Sequence, residues 1–427
     1  MSSGLGKLLA PLKKHHGLKN STDYLLSHGF IQQESSGVFD LLPLSTRIIQ
    51  KINNIIRSEL NAAGCVELEL SNLVDPKLWI QSNRLRKDTE AEFIFTEKRK
   101  YMLAPTAEEQ ITNLMRNVSY KQLPLSFYQI TRKFRNELRP RNGMLRTREF
   151  LMKDLYTFDL NEELAEQSYK RISEAYEKIY RRIGIPFLVA DADSGDMGGT
   201  LSHEYHALHE VGEDKLVVCS NCTYTSNWES AIVKKDGQKY QTKDLNFAET
   251  DFSSLECHSC SSPVHAKSTI EIGHTFMLGT KYTEPMQAVV NSPAGNGIPL
   301  EMGCYGIGVS RLISALAEVH MDNSGLKWPV PVAPFSCAVV SKNSSDSKKV
   351  ADMLVSNGID AYYEDRTTQI GYGIRDAKEK GIPFTIVLGS RWSEQKVDIL
   401  PRWASKVEDQ TVSIDDLVKT IKGLSHL

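Results

Sequence analysis

The sequence predicts an α/β protein in two parts: a long N-terminal region in which helices flank strands, and a separate C-terminal α/β domain. Three observations predict this. Amphipathic stretches at helical spacing alternate with short apolar runs of strand character up to about residue 183. The run Trp328-Pro-Val-Pro-Val-Ala-Pro334 then stiffens the chain into an extended connector. Beyond it, strand-like and helix-like segments alternate as βαβ units do. With 427 residues, 41% hydrophobic and 24% charged, the chain is long enough to bury the cores of two or three domains.

Each element has a local cause. In residues 44–63, Leu44, Ile48, Ile49, Ile52, Ile55, Ile56 and Leu60 fall on one helical face, with Pro43 before them and Gly64 after. Cys65 to Leu70 reads as a strand, and Val74-Asp-Pro-Lys-Leu-Trp79 as a turn into a short helix. Residues 107–117 read as a helix, 125–134 and 147–158 as strands, and 162–183 as a second long helix stopped by Gly184. From about 215 to 268 the texture becomes polar and short-stranded, which marks a small insertion. An apolar helix follows at 309–320. After the connector come an apolar stretch at 335–341, helices near 345–357 and 371–380, and strands at Ala361-Tyr-Tyr363 and Phe384-Thr-Ile-Val-Leu388.

Net charge is −2 and the pI about 6.6, so contact with nucleic acid must come from local basic patches. No apolar run is long enough to span a bilayer and there is no signal-peptide core, which predicts a soluble intracellular protein. The first 22 residues lack Asp and Glu and carry Lys7, Lys13, Lys14 and Lys19, a pattern shared by organelle leaders and by ordinary basic starts. Of seven cysteines, four form the pairs Cys219-Ser-Asn-Cys222 and Cys257-His-Ser-Cys260. Either they bind a tetrahedral zinc ion or they are a reduced, metal-free remnant; the 34 residues between the pairs exceed the usual ribbon spacing.

Two runs carry chemistry. In Phe134-Arg-Asn-Glu-Leu-Arg-Pro-Arg-Asn-Gly-Met-Leu-Arg-Thr-Arg-Glu-Phe150, Arg135 and Glu137 sit two apart and so face one side of an expected strand. Arg139 and Arg141 fall in the loop, Gly143 supplies its turn, and Arg146 and Arg148 begin the return strand. Forked guanidinium donors suit phosphate oxygens, and Phe150 can lie against a purine. The alternative is a hairpin whose arginines face solvent or an RNA backbone. In Gly303-Cys-Tyr-Gly-Ile-Gly-Val-Ser-Arg311, three glycines permit close backbone approach before Arg311, and Glu301 just upstream is a candidate Mg²⁺ ligand.

With these runs the chain resembles the class II aminoacyl-tRNA synthetases, and specifically the prolyl-tRNA synthetases of bacterial and mitochondrial type. The runs resemble motifs 2 and 3 of the class. Ala104-Pro-Thr-Ala-Glu-Glu109, Tyr120-Lys-Gln-Leu-Pro124, Arg148-Glu-Phe-Leu-Met-Lys-Asp154, Gly198-Gly-Thr-Leu-Ser-His-Glu204 and Gly273-His-Thr-Phe-Met-Leu-Gly-Thr-Lys-Tyr282 resemble further signatures of the prolyl type. The resemblance implies a mostly antiparallel catalytic sheet over residues 1–332 and a mixed α/β anticodon-binding domain over 333–427. It implies activation of L-proline with ATP and Mg²⁺, transfer of proline to tRNA(Pro), and a homodimer. Thr106 and Glu108 would form the proline loop, with His274 and Cys304 in the same pocket. Arg135 would hold the α-phosphate and the substrate carboxylate, Glu137 and Phe150 would receive adenine, Arg146 and Arg311 would grip the outer phosphates, and Glu301 would help seat Mg²⁺. Arg135 and Arg311 are thus the residues expected to act on the reacting groups. In the C-terminal domain, Asp365 and Arg366 would meet anticodon bases, and Lys378 and Lys380 phosphate.

The chain departs from that pattern in three places. Ser71 stands where motif 1 has its interface proline, and Ala107 where the proline loop has histidine. Between motifs 2 and 3, where bacterial forms carry a large editing domain, only about 50 residues stand, so editing in cis is expected to be absent. The missing domain, the cysteine pairs and the acid-free start together resemble the mitochondrial form. A non-catalytic synthetase-like protein and a synthetase for threonine or glycine are the rival readings. Retention of Arg135, Arg146 and Arg311 argues against the first, and the Thr106/Glu108 loop with Gly273-His274 against the second.

Overall fold

The computed structural model describes residues 2–9, 20–87, 89–291, 297–403 and 410–424. Lys13, Lys14 and Lys19 of the basic start lie outside the described residues. By internal contacts the chain forms two units, one of residues 53–315 and one joining residues 1–52 to 316–427.

The 53–315 unit is built on a nine-stranded sheet. Across it run Leu201–Leu208, Leu188–Asp191, Thr225–Asn227, Asp214–Cys219, Val264–Gly279, Glu301–Gly308, Glu149–Asp159, Leu125–Phe134 and, at the edge, Val66–Glu67. The centre is antiparallel. Leu125–Phe134 and Glu149–Asp159 form a hairpin in the register Phe134 to Glu149, and Glu301–Gly308 pairs with the second of these from Glu301 opposite Asp159 to Gly308 opposite Met152. Helix Glu162–Ile183 has the bounds its periodicity predicts; Asn161 caps its start, accepting from Leu164 N, and Gly184 ends it. Its buried stripe includes Tyr169, Ile172, Tyr176, Ile179, Tyr180 and Ile183. Tyr180 Oη donates to Ile272 O at 3.1 Å, and a Cβ added at residue 273 would lie 2.1 Å from Tyr180 Oη; Gly273 is required by this packing.

The strand expected at 65–70 is only Val66–Glu67, paired parallel with Leu125–Phe134. The insertion holds a three-stranded sheet of Ile232–Lys235, Gln238–Gln241 and Glu256–Cys257 on its own small core of Ala231, Val233, Leu255 and Cys257.

In the other unit a six-stranded sheet runs Ser3–Gly4, Ala361–Tyr363, Cys337–Ser341, Phe384–Leu388, Lys396–Pro401 and Gln410–Ser413. The first four are parallel and the last two antiparallel, which is the mixed α/β character the alternation predicts. Helices Ser344–Ser356 and Ile414–Leu424 supply Val350, Leu354, Leu417 and Ile421 to its core. The parallel edge strand Ser3–Gly4 carries no sequence signal. The connector also differs from expectation: it does not stay extended, because Val332 N and Ala333 N both donate to Pro329 O in a turn, and Trp328 is buried with its indole donating to Lys380 O at 2.8 Å.

Candidate active site

A cavity of about 550 Å³ in the 53–315 unit gathers nine of the residues marked out in the sequence: Thr106, Glu108, Arg135, Glu137, Arg146, Phe150, His274, Cys304 and Arg311. One side is small and closed. Glu108 opens helix Glu108–Met115 and is fully buried. Its Oε2 accepts from Thr106 Oγ1 and from Arg84 Nη1 at 3.0 Å, and its Oε1 from Cys304 Sγ at 3.1 Å. Burial by itself would raise its pKa; the charge of Arg84 and the two hydrogen bonds outweigh that and hold Glu108 below the ordinary value, as a carboxylate. Glu109 beside it is also buried and shares Arg84 at 3.4 Å. There burial and the like charge of Glu108 prevail over Arg84, and the pKa rises to about 7.

The loop ahead of that helix is held from beneath. Ala107 N donates to Tyr156 Oη at 3.0 Å, and Tyr156 Oη donates to Asp154 Oδ2 at 2.9 Å. Asp154 also accepts from Gln129 Nε2 at 2.8 Å and pairs with the buried Lys133 at 3.0 Å. The first turn of the pocket therefore rests on a buried chain of polar contacts that leads into the hairpin strands.

The other side is cationic. Arg135 follows the end of its strand, and Arg135 N is bonded to Arg148 O at 2.8 Å. Its guanidinium carbon lies 5.1 Å from the Phe150 ring centroid and has no carboxylate partner among the described residues. Surrounding protein, and then the like charge of Arg311, lower its pKa; a guanidinium keeps its proton nonetheless. Arg311 donates to Glu271 O at 2.9 Å and Oε2 at 3.0 Å. Burial would raise the Glu271 pKa, but the hydrogen bond from His274 and the charge of Arg311 keep it far below the ordinary value. His274 stacks on Phe276 with ring centroids 3.8 Å apart and has Ser202 Oγ at 2.7 Å from its Nε2. Arg146 Nε donates to Glu137 Oε2 at 2.8 Å, and Arg146 and Arg141 both reach Glu213.

The cavity thus joins a small polar pocket around a buried carboxylate to a cluster of arginines facing solvent. Comparison with known proteins follows the same lines. The family description "tRNA synthetase class II core domain (G, H, P, S and T)" matches residues 92–320, and "Anticodon binding domain" matches residues 333–424. A Schizosaccharomyces pombe protein named "Probable proline--tRNA ligase, mitochondrial" is 38% identical over 98% of this chain and 96% of its own length. The chain belongs to the class II prolyl-tRNA synthetases. A bacterial proline–tRNA ligase, from Sulfurimonas denitrificans, is 36% identical over 90% of both chains. The crystal structure of a prolyl-tRNA synthetase from Cryptosporidium parvum shares the fold, with a TM-score of 0.73 at 16% identity over 95% of this chain and 76% of that one.

Seen as a prolyl-tRNA synthetase, the structure moves several expected residues. Glu301 lies outside the cavity: it starts the strand that ends at Gly308, seven residues and roughly 23 Å away at the usual strand rise. Its neighbours are Asp159, across the register, and Glu162, and the carboxylate next to Arg311 is Glu271 instead. Arg135 and Glu137 do not share a strand face, because Leu125–Phe134 stops before them and Glu137 N turns back to Arg135 O at 2.8 Å. Gly306 and Gly308 line the cavity; Gly303 does not, and makes room for Tyr305 Oη and Thr157 Oγ1, which an added Cβ would meet at 2.5 and 2.6 Å. In the C-terminal domain Asp365 and Lys378 are exposed. Arg366 is instead clamped between Glu364 and Asp376, each at 2.6 Å, and Lys380 is fully buried against Asp376, so neither side chain is presented to an RNA.

Sequence reasoning missed Arg84, Glu109, Glu213 and Glu271. Glu271 had a signal, a carboxylate within the apolar run Ile270-Glu-Ile272. Glu213 and Arg84 had none, since both reach the site from segments far from either motif.

The cysteine pairs meet in space. Cys219 Sγ lies 3.5 Å from Cys260 Sγ and Cys222 Sγ 3.7 Å from Cys257 Sγ, and all four sulfurs lie within 4.8 Å of one another. Tetrahedral zinc with Zn–S bonds of about 2.3 Å sets its sulfurs about 3.8 Å apart. The long spacing is absorbed because Cys219 stands opposite Val264 in the sheet and Glu256 bridges Pro263, which returns the second pair to the end of the strand carrying the first.

Proposed function

We propose that this cavity activates L-proline with ATP, giving prolyl-adenylate and pyrophosphate, and passes the prolyl group to the 3′ end of tRNA(Pro). The observation that carries this is the buried Glu108 carboxylate, held by Thr106, Cys304 and Arg84, opening into the same cavity as Arg135, Arg146 and Arg311. A fixed anion in a small pocket suits the secondary ammonium of proline, with His274 and Phe276 forming an aromatic wall nearby. Arg135, without a carboxylate partner among the described residues, is available to the α-phosphate and the substrate carboxylate. The proline carboxylate attacks the α-phosphorus in line and pyrophosphate leaves; a hydroxyl of the terminal tRNA ribose then attacks the adenylate carbonyl and AMP leaves. No protein nucleophile is needed, and positioning with charge neutralisation lowers the barrier. Phe150 offers its ring to adenine, with Glu137 at the mouth beside it.

Mg²⁺ prefers carboxylate oxygens, and Glu271 is the cavity carboxylate paired with Arg311. Zinc in the Cys219, Cys222, Cys257 and Cys260 cluster closes the insertion. The exposed Val66, on the edge strand where motif 1 falls, and the exposed Leu73, Ile80 and Leu114 support a homodimer. Asp365 and Lys378 remain the candidates for anticodon contact, within a functional division of the chain at 332/333. Mitochondrial matrix is the proposed location, supported by the yeast relative's name and by that of a Homo sapiens relative, 35% identical over 86% of this chain; no described helix is long and apolar enough to cross a membrane. The alignment with an Aquifex aeolicus proline–tRNA ligase runs over 539 positions, to which this chain brings 93% of its 427 residues, so that relative carries well over a hundred residues this chain lacks. This supports loss of cis editing.

Amino-acid-dependent pyrophosphate exchange tests the proposal. Exchange should occur with proline and fail with threonine and glycine; no exchange with any amino acid would sink the catalytic reading, and exchange with another one the assignment to proline.

A further inference from the structure

The motif 2 loop is strongly cationic, with Arg135, Arg139, Arg141, Arg146 and Arg148 against the single acid Glu137 among residues 135–148. Such a loop would repel itself in an empty site unless something stood in for the phosphates. Glu213 occupies that place. Its Oε1 accepts from Asn142 Nδ2 at 3.2 Å and from Arg141 Nε, and its Oε2 from Arg141 Nη2 at 2.9 Å and Arg146 Nη1 at 3.2 Å. One carboxylate thus binds three side chains of the loop, two of them guanidinium groups.

Its seat is built. Glu213 ends a tight turn in which Gly212 N donates to His209 O at 3.0 Å, and a Cβ added at residue 212 would lie 2.1 Å from the carbonyl of Thr269. Only glycine permits that approach, which fixes Glu213 at the head of Asp214–Cys219, beside the strand that carries Glu271 and His274. The carboxylate is about one third exposed and lies on the cavity wall, so a ligand can reach the groups it holds.

We infer that Glu213 is an internal counter-ion that holds the motif 2 arginines in the empty enzyme and surrenders them to the outer phosphates of ATP. This rests on the ligase reading above. A triphosphate brings several negative charges and forked oxygen acceptors to guanidinium groups that otherwise share Glu213, with Glu137 as a second partner of Arg146 alone, so it takes Arg146 and Arg141 from Glu213. Glu213 then stands close to the phosphates as a like charge, and its pull on the loop opposes ATP and favours release of pyrophosphate. Glu271 differs in kind: it is tied to Arg311 and His274 inside the sheet and belongs to no loop.

The test is Glu213→Gln, which keeps the shape and one acceptor but removes the charge. ATP–pyrophosphate exchange is first measured on the parent enzyme, where absence of exchange refutes the ligase reading itself. Given exchange, the variant should show a KM for ATP lower by on the order of threefold to tenfold, the factor for releasing one or two exposed ion pairs. Its KM for proline should not change. Hydrogen exchange of amides 138–146 should be faster in the variant without nucleotide and equal to the parent with a non-hydrolysable ATP analogue bound. A KM for ATP that is unchanged or raised, or loop exchange that matches the parent without nucleotide, overturns the inference.

Discussion

Cys304 donates its thiol to Glu108 Oε1 at 3.1 Å, joining the third strand of the motif 2 and 3 sheet to the first residue of a helix 196 positions earlier. The thiol is buried, and burial followed by the charge of Glu108 pushes its pKa well above the ordinary value, so it stays a donor. Cys304→Ser keeps a donor and should leave proline activation within a few-fold of the parent. Cys304→Ala leaves one oxygen of a buried carboxylate unsatisfied, at a cost of about 1–3 kcal/mol, which corresponds to roughly a fivefold to hundredfold loss in kcat/KM for proline. Steady-state exchange kinetics check this; equal kinetics for the alanine and parent proteins would refute it.

Glu109 gives the fold a pH dependence of definite sign. Its pKa rises from 4.5 unfolded to about 7 folded, so the folded state binds the proton more tightly. That stabilisation is fully present below about pH 4.5 and is lost as pH rises through about 7. Relative to the parent, Glu109→Gln should therefore gain stability between pH 5 and pH 8, by up to about 3 kcal/mol for a shift of this size. Urea unfolding of both proteins across this range measures the gap; a gap independent of pH would show that Glu109 is ionised throughout.

Arg366 is a structural residue. Its side chain is 8% exposed between Glu364 and Asp376, and removing it strands the buried Glu364 carboxylate and leaves Asp376 to Lys380. Arg366→Ala should cost about 3–5 kcal/mol and lower Tm by several degrees. Lys378→Ala, on the exposed side of helix Ile370–Glu379, should leave Tm alone and raise KM for tRNA. A selective tRNA defect with unchanged Tm in the Arg366 variant would reverse this assignment.

These cases show what a sequence can disclose. Helices Glu162–Ile183 and Val309–His320 and strands Leu125–Phe134 and Phe384–Leu388 were legible to the residue, because periodicity and caps are local properties. The place of Thr106, Arg135 and Cys304 on one cavity was legible through motifs. Glu213, Arg84 and Glu271 were not, since their partners are fixed by strand register and loop seating far from either run. Arg366 and Glu301 were misplaced for a related reason: a charged residue at a landmark position reads alike whether it faces a ligand or a buried partner.

The four-cysteine cluster should hold zinc. Protein purified without chelator should carry about one zinc per chain, and Cys257→Ser should lose it and destabilise the insertion, with proteolysis between residues 220 and 262 becoming faster. Metal analysis giving far less than one zinc per chain would leave the cluster as a set of reduced thiols.

The proposed loss of cis editing bears on how faithfully tRNA(Pro) is charged. The insertion's apolar residues, Val217, Ala231, Val233, Leu255 and Val264, pack against one another in a core beside the cysteines, and its three short strands form a knuckle. Under the proposed loss of cis editing the synthetic pocket alone rejects alanine, and loss of a few methylene contacts discriminates by only about 1–3 kcal/mol per methylene. Alanine should therefore support measurable pyrophosphate exchange, at a kcat/KM lower than that of proline by a few orders of magnitude at most. Alanyl-tRNA(Pro) added to the isolated protein should decay at its spontaneous rate. Hydrolysis accelerated by the protein would show that a deacylating site survives in this chain, and the insertion, with its cysteine-paired base, would be the first place to seek it.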